Sequence, residues 1–146
     1  LDYLGDDTSL RIGVVGQGKS VGTPLIEDLH HMGHDPLIVT HRNAATRAPY
    51  LRECDLIFTA TGVESVQPDH VRPGAVIIDA GVRESLENGQ LITRGDVNPY
   101  IYEMDGVTVT PPIWGVGPLT ATIMAGNTID AAYRQLQQQD LFSPAY

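Results

Sequence analysis

Between Gly13 and Pro24 the chain reads Gly13-Val-Val-Gly16-Gln17-Gly18-Lys19-Ser20-Val-Gly22-Thr-Pro24, a set of residue types suited to holding a phosphate. Main-chain recognition of phosphate needs N–H groups that converge with no side chain in the way, followed by the positive end of a helix. Gly16 and Gly18 let the backbone bend and come close to a ligand, and Gly22 lets the next helix pack closely on the strand before it. The spacing G-x-G-x-x-x-G is one residue wider than the usual dinucleotide fingerprint. The same letters from Gly13 to Ser20 also spell G-x-x-x-x-G-K-S, the phosphate loop of nucleoside triphosphatases, with Ala75–Asp79 as an apolar strand ending in a magnesium-binding acid. Position favours the dinucleotide reading. Gly13 falls inside the apolar run Arg11–Val15, and a helix starting near Val21 or Gly22 keeps Pro24 in its first turn, where proline is tolerated.

A second chemical group stands at Thr40-His41-Arg42. Sites for the unphosphorylated dinucleotide place an Asp or Glu there to hold the ribose 2′-hydroxyl. Here the acid is missing, and Asp35 lies at the start of the strand, not its end. The planar fork of Arg42, with His41 and Lys19 near it, suits a 2′-phosphate, so NADP is expected over NAD. His30, His31 and His34 lack a second ligand cluster and read as surface histidines, leaving no expected metal. Cys54 reads as a small buried filler, and no nucleophile–base pair is visible.

These groups need a scaffold. Arg11–Val15, Pro36–Thr40, Asp55–Ala60, Ala75–Asp79 and Val107–Thr110 are short apolar runs of strand character. Val21–Met32 carries apolar residues at helical spacing and is closed by Gly33; a short helix follows the loop His41–Thr46, and a long one spans about Leu119–Gln138. Alternation of such strands and helices predicts an α/β fold with a doubly wound, Rossmann-like parallel sheet and helices on both faces. Four loops then follow strands directly and converge on one crevice: Gly16–Ser20, Thr40–Arg42, Thr61–Gly62 and Gly81–Val82. Residues 1–10 read as a lead-in, 11–138 as the dinucleotide-binding domain and 139–146 as a tail. Asp6-Asp7 and Glu84–Glu87 read as solvated charges.

Composition narrows the class further. With 146 residues, 42% hydrophobic and 18% charged, the chain is expected to form a folded globular domain. A net charge of −9 argues against nucleic-acid or anionic-membrane partners. The single cysteine fits a reducing compartment, no apolar run is long enough to span a membrane, and no signal peptide is visible, so a cytoplasmic protein is expected.

Val14–Pro24, Arg72–Val82 and Gly115–Thr120, with Gly95-Asp96-Val97 and Asn127-Thr128, resemble the nucleotide-binding domain of the bifunctional methylenetetrahydrofolate dehydrogenase/cyclohydrolase family, from about Arg11 to Ala132. That family interconverts methylene- and methenyl-tetrahydrofolate with a nicotinamide dinucleotide, then hydrolyses the methenyl form to the formyl form. The resemblance implies that Gly16, Gln17 and Gly18 bind the dinucleotide phosphates, with Lys19 and Ser20 in the same loop. Arg42 would face the 2′-phosphate. Thr61, Gly62 and Val82 would lie along the nicotinamide side, Thr120 near the same end, and Trp114 and Gly115 beside the folate. Two departures stand out: Gln17-Gly18 where the family has Arg-Ser, and Trp114 where it has a glycine. The indole could stack on a pterin, narrow the cleft or serve packing. The family's catalytic Tyr and Lys sit on one helix of an N-terminal domain, and Lys19 is the only lysine here. No catalytic residue is therefore expected in this chain, and the tetrahydrofolate derivative would be met through that other domain. A homodimer is implied by the family, and a non-catalytic dinucleotide-sensing module is the alternative.

Overall fold

Pairs of β-branched and other apolar residues at positions 12–15, 37–39, 56–59 and 76–79 form strands because both faces of the sheet they build are covered. A computed structural model describes residues 9–141, with side-chain exposure described through residue 137. The order along the chain is β1 (Ile12–Val15), α1 (Gly22–His31), β2 (Leu37–Val39), α2 (Ala44–Arg47), β3 (Leu56–Thr59), β4 (Val76–Asp79), β5 (Arg83–Glu87), β6 (Gln90–Arg94), β7 (Thr108–Val109) and α3 (Val116–Leu141). Short 3₁₀ turns occupy Ala48–Glu53, Pro68–His70 and Pro99–Glu103. Contacts divide the chain into two units, Leu1–Val116 and Gly117–Tyr146.

In the first unit five parallel strands run in the order β2-β1-β3-β4-β7. Val14 stands between Ile38 and Phe58, and Thr59 opposite Asp79. Alternate residues of one strand face opposite ways. Ile12 and Val14 pack with Ile26 and Leu29 of α1, whereas Val15, Ile57 and Ile77 join Leu51, Val66, Val97 and Ile101 under the 3₁₀ turns. The sheet is thus covered on both sides, as the doubly wound class requires. Chain order reverses between β1 and β3, and such a switch point opens a crevice at the strands' carboxyl ends.

Gly13 lies inside β1, where a Cβ would come within 2.7 Å of Leu51 Cδ2 and 3.1 Å of Cys54 Sγ. Its small size serves the seating of the Ala48–Glu53 turn, so it is not the first glycine of a triphosphatase loop. Cys54 is buried there, and burial first, then the charges of Asp55 and Glu53, push its thiol up to about 11. The filler reading agrees with this. At the end of α1, Gly33 takes φ +85° and the His34 N–H returns to Leu29 O at 2.9 Å. That tuck buries His34, which corrects the reading of it as a surface histidine, while His30 and His31 are exposed.

The hairpin β5–β6 was not expected, since Glu84–Glu87 read only as solvated charges. Those side chains are largely exposed, and the turn between the strands is made by Asn88 and Gly89 at φ 52° and 77°. Two left-handed residues in succession form the type I′ turn that Asn-Gly favours. In the second unit α3 contains the expected helix and continues to Leu141, past the boundary drawn at residue 139. Leu119, Ile123, Met124, Ile129, Tyr133 and Leu136 are all exposed on it. Of the expected lead-in and tail, residues 1–8, including Asp6-Asp7, and residues 142–146 lie outside the described residues.

Candidate cofactor crevice at the switch point

Immediately after β1 the backbone turns at Gly16, with φ +104°. A Cβ on Gly16 would lie 2.6 Å from Ala60 O, and its N–H donates to Val39 O at 2.8 Å. Gly16 is therefore locked between the ends of β2 and β3. Gly22 is equally constrained, because a Cβ there would meet Gly16 O at 2.2 Å. Gly18 differs: no protein atom lies within 4 Å of the place its Cβ would take. The Thr23 N–H donates to Gly18 O at 2.9 Å and Thr23 Oγ1 to Gln17 O at 3.3 Å, which shapes the loop through its carbonyls. The N–H groups of Gln17, Gly18, Lys19 and Ser20 make no hydrogen bond among the described residues. The first turn of α1 has neither a capping side chain nor an acid, so its positive end is uncompensated.

The second wall follows β2. Asn43 Oδ1 accepts the Thr40 N–H at 2.7 Å, and Asn43 Nδ2 donates to Ile38 O at 3.3 Å. Arg47 also donates to Ile38 O, at 3.2 Å. This clamp holds Thr40, His41 and Arg42 against the crevice, with Arg42 exposed. Asp35 lies before β2, at the other end, within 4.0 Å of His30.

The third wall follows β3 and comprises Ala60, Thr61, Val63, Glu64, Ser65 and Gln67. The Glu64 carboxylate receives Arg83 at 2.9 Å, Asn98 at 2.7 Å and Gln67 at 3.2 Å. The Arg83 hydrogen bond, chiefly, holds its carboxyl below the usual range. Behind this wall Asp96 is fully buried. Its Oδ2 accepts the Thr61 Oγ1 at 2.8 Å, Thr59 Oγ1 at 3.1 Å, the Gly62 N–H at 3.2 Å and the Thr61 N–H. Asp79, at the end of β4, accepts the N–H groups of Gly81 at 3.0 Å, Asp96 at 3.1 Å and Val97 at 3.2 Å. Burial pushes the Asp79 carboxyl up, and those three bonds oppose the shift. Its carboxylate is occupied by main chain, which removes it as the metal acid of a triphosphatase.

The three walls enclose about 850 Å³, within the size range of small-molecule sites. Gly16, Gln17, Gly18, Arg42 and Thr61 line it. Gly62 sits behind Thr61 at φ +73°, and Lys19 and Ser20 are exposed on the same loop without lining the cavity. The expected fourth loop does not join. Gly81 is tied back to Asp79, and Val82 is exposed outside the lining. Trp114 is 84% exposed at φ +67°, so it fills no core among the described residues, and Gly115 is glycine because a Cβ would lie 2.2 Å from Pro111 O. Thr120 stands on α3, in the second unit. Asn43, Glu64, Ser65 and Asp96 were missed as site residues. Asn43 carried a signal, since Asn commonly closes such a loop through its side chain. Among the described residues no group of three or more His, Cys, Asp or Glu could hold a metal, and no helix is long and apolar enough to cross a membrane.

A parallel doubly wound sheet, a glycine loop and a crevice at the switch point define the class of dinucleotide-binding α/β domains. Comparison with known proteins narrows this. The chain belongs to the family described as tetrahydrofolate dehydrogenase/cyclohydrolase, NAD(P)-binding domain, which matches residues 3–136. It is 39% identical to the bifunctional protein FolD of Geobacillus kaustophilus over 133 residues, covering 90% of this chain and 45% of that protein. It is also 39% identical to FolD of Thermomicrobium roseum, covering 99% of this chain and 49% of the relative. The chain thus spans about half the length of the curated relatives it matches. Among solved structures, a 5,10-methylenetetrahydrofolate dehydrogenase from the silkworm Bombyx mori superposes with TM-score 0.77 at 30% identity, over 93% of this chain and 49% of that one. A Trypanosoma brucei FolD complexed with NADP and an inhibitor gives TM-score 0.77 at 24% identity, over 87% and 44%, a likeness of fold.

Proposed function

We propose that this chain is the NADP-binding half of an enzyme that oxidises 5,10-methylenetetrahydrofolate to the methenyl form and hydrolyses that product to 10-formyltetrahydrofolate. The observation that carries this reading is the pairing of two walls: N–H groups of Gln17–Ser20 without a hydrogen-bond partner among the described residues on one, and Arg42, in no ion pair among those residues, on the other. The pyrophosphate rests on those amides and the positive end of α1, where no protein acceptor competes for it. Gly16 contributes its shape and not its N–H, which the sheet already uses. Arg42 takes the 2′-phosphate, and a carboxylate that would repel that phosphate is absent from the end of β2. Thr61–Gly62, with Val82, belongs to the nicotinamide side, and Trp114–Gly115 borders the folate.

When bound, the nicotinamide cofactor supplies the hydride acceptor. This chain's own part is to hold and orient it. The acid–base groups come from the other half of the enzyme, because the single lysine stands in the glycine loop and no Tyr–Lys pair is available. Family membership supports this assignment. We place the enzyme in the cytoplasm as a homodimer, with neither nucleic acid nor membrane as a partner. Titration calorimetry with NADP⁺, NAD⁺ and magnesium-ATP tests the reading. NADP⁺ is expected to bind most tightly, and tighter binding of ATP would overturn it.

A further inference from the structure

We propose that Asp96 is a positioning residue for the cofactor: its carboxylate, from beneath, sets the Thr59–Ser65 segment that forms the crevice wall beyond the adenosine end. The inference rests on the orientation given above, with the adenosine at Arg42 and the rest of the dinucleotide crossing towards Thr61.

Every hydrogen bond of the Asp96 side chain among the described residues goes to that one segment. Oδ2 collects Thr59 Oγ1, Thr61 Oγ1 and two successive main-chain N–H groups, Thr61 and Gly62. Consecutive N–H groups leading into a left-handed residue make a concavity that binds an anion, and here the protein fills it with its own oxygen. Gly62 holds φ +73° at that point. The main chain of residue 96 grips the other end, since Asp96 O accepts the Ser65 N–H at 2.8 Å. One residue therefore fixes both ends of the stretch that presents Thr61, Val63 and Glu64 to the crevice.

Room for this arrangement is specifically left. A Cβ on Gly81 would lie 2.0 Å from Asp96 Cγ, and one on Gly95 would lie 2.0 Å from Asp79 Oδ2. Asp79 in turn holds the N–H groups of residues 96 and 97, so the sheet end at β4 anchors the carboxylate that shapes the turn after β3. Among the described residues the carboxylate has no partner outside this segment. Asp96 is 0% exposed, its Oδ1 has no hydrogen-bond partner, and no ion pair to it is found among the described residues. Burying an acid is unfavourable unless hydrogen bonds offset the cost, and here all of those bonds come from the segment it shapes.

The experiment compares two ligands on the same chain: NADP⁺, which reaches the Thr61 wall, and adenosine 2′,5′-bisphosphate, which stays at the Arg42 wall. Asp96→Ala should raise the Kd for NADP⁺ about tenfold or more and leave that for the bisphosphate within about twofold, in a protein that still unfolds cooperatively. Asp96→Asn keeps an acceptor oxygen where Oδ2 stands, so its NADP⁺ affinity should stay within about threefold of wild type. Should Asp96→Ala fail to fold, Thr59→Val removes one donor from a buried strand position, and a smaller loss confined to NADP⁺ is expected. Equal weakening of both ligands, or of neither, overturns the proposal. A wild-type chain that binds neither overturns the cofactor reading itself.

Discussion

A methyl group added at Gly16 and one added at Gly18 meet opposite fates, although the two residues stand in one motif. The first would strike Ala60 O from a left-handed backbone; the second would enter empty crevice. Gly16→Ala is therefore expected to lower stability by about 1–3 kcal/mol in denaturant unfolding. Gly18→Ala should leave stability within about 0.5 kcal/mol and weaken NADP⁺ binding, because the ligand loses its close approach. Arg42→Ala should weaken NADP⁺ by about 1–3 kcal/mol and spare NAD⁺, as measured by calorimetry. Equal losses for both would misplace the adenosine end. The glycines and Arg42 were legible in the sequence because a local motif defines them. Asp96 was not, since its role depends on Thr61, 35 positions away, and on glycines that only the fold brings alongside.

Among the elements, legibility followed burial. β1, β3, β4 and α1 carry apolar patterns because they face the core, and their positions agree with expectation to within a residue or two. β5 is largely exposed and β6 is no more than half-buried, so no apolar pattern marks them; only Asn88-Gly89 signals the turn. β7 is shorter than the run Val107–Thr110 expected of it, and just beyond its end Thr110 Oγ1 accepts the Asp79 N–H at 2.8 Å. α1 has a double duty, covering one face of the sheet and aiming its N-terminus at the crevice. Leu29 is the fully buried anchor of that contact. Leu29→Ala should cost about 2–5 kcal/mol in urea unfolding. A cost near zero would mean that α1 does not depend on this packing.

For the whole molecule, folding is linked to the proton on Cys54. Between pH 9 and about 11 the unfolded chain has lost a thiol proton that the folded chain keeps, given the ordinary value of 9.0 and the raised value of about 11. The folded state then binds more protons, so the free energy of unfolding falls as pH rises through that window. Cys54→Ala should flatten the fall in a series of denaturation curves, and an unchanged slope would contradict the burial-driven shift. Tyr102, pushed up to about 12 by burial and then by Asp79, adds a similar decline at higher pH. The doubly wound class was legible because strand and helix periods alternate along the chain; the number of loops meeting at the crevice was not, since Gly81 is drawn back by Asp79. The central claim is that free amides after β1 receive the pyrophosphate. Backbone-amide NMR of the labelled chain, with and without NADP⁺, tests it directly. The account predicts the largest shifts at Gln17, Gly18, Lys19 and Ser20, with Arg42 next; saturable binding that leaves those amides unmoved would contradict it.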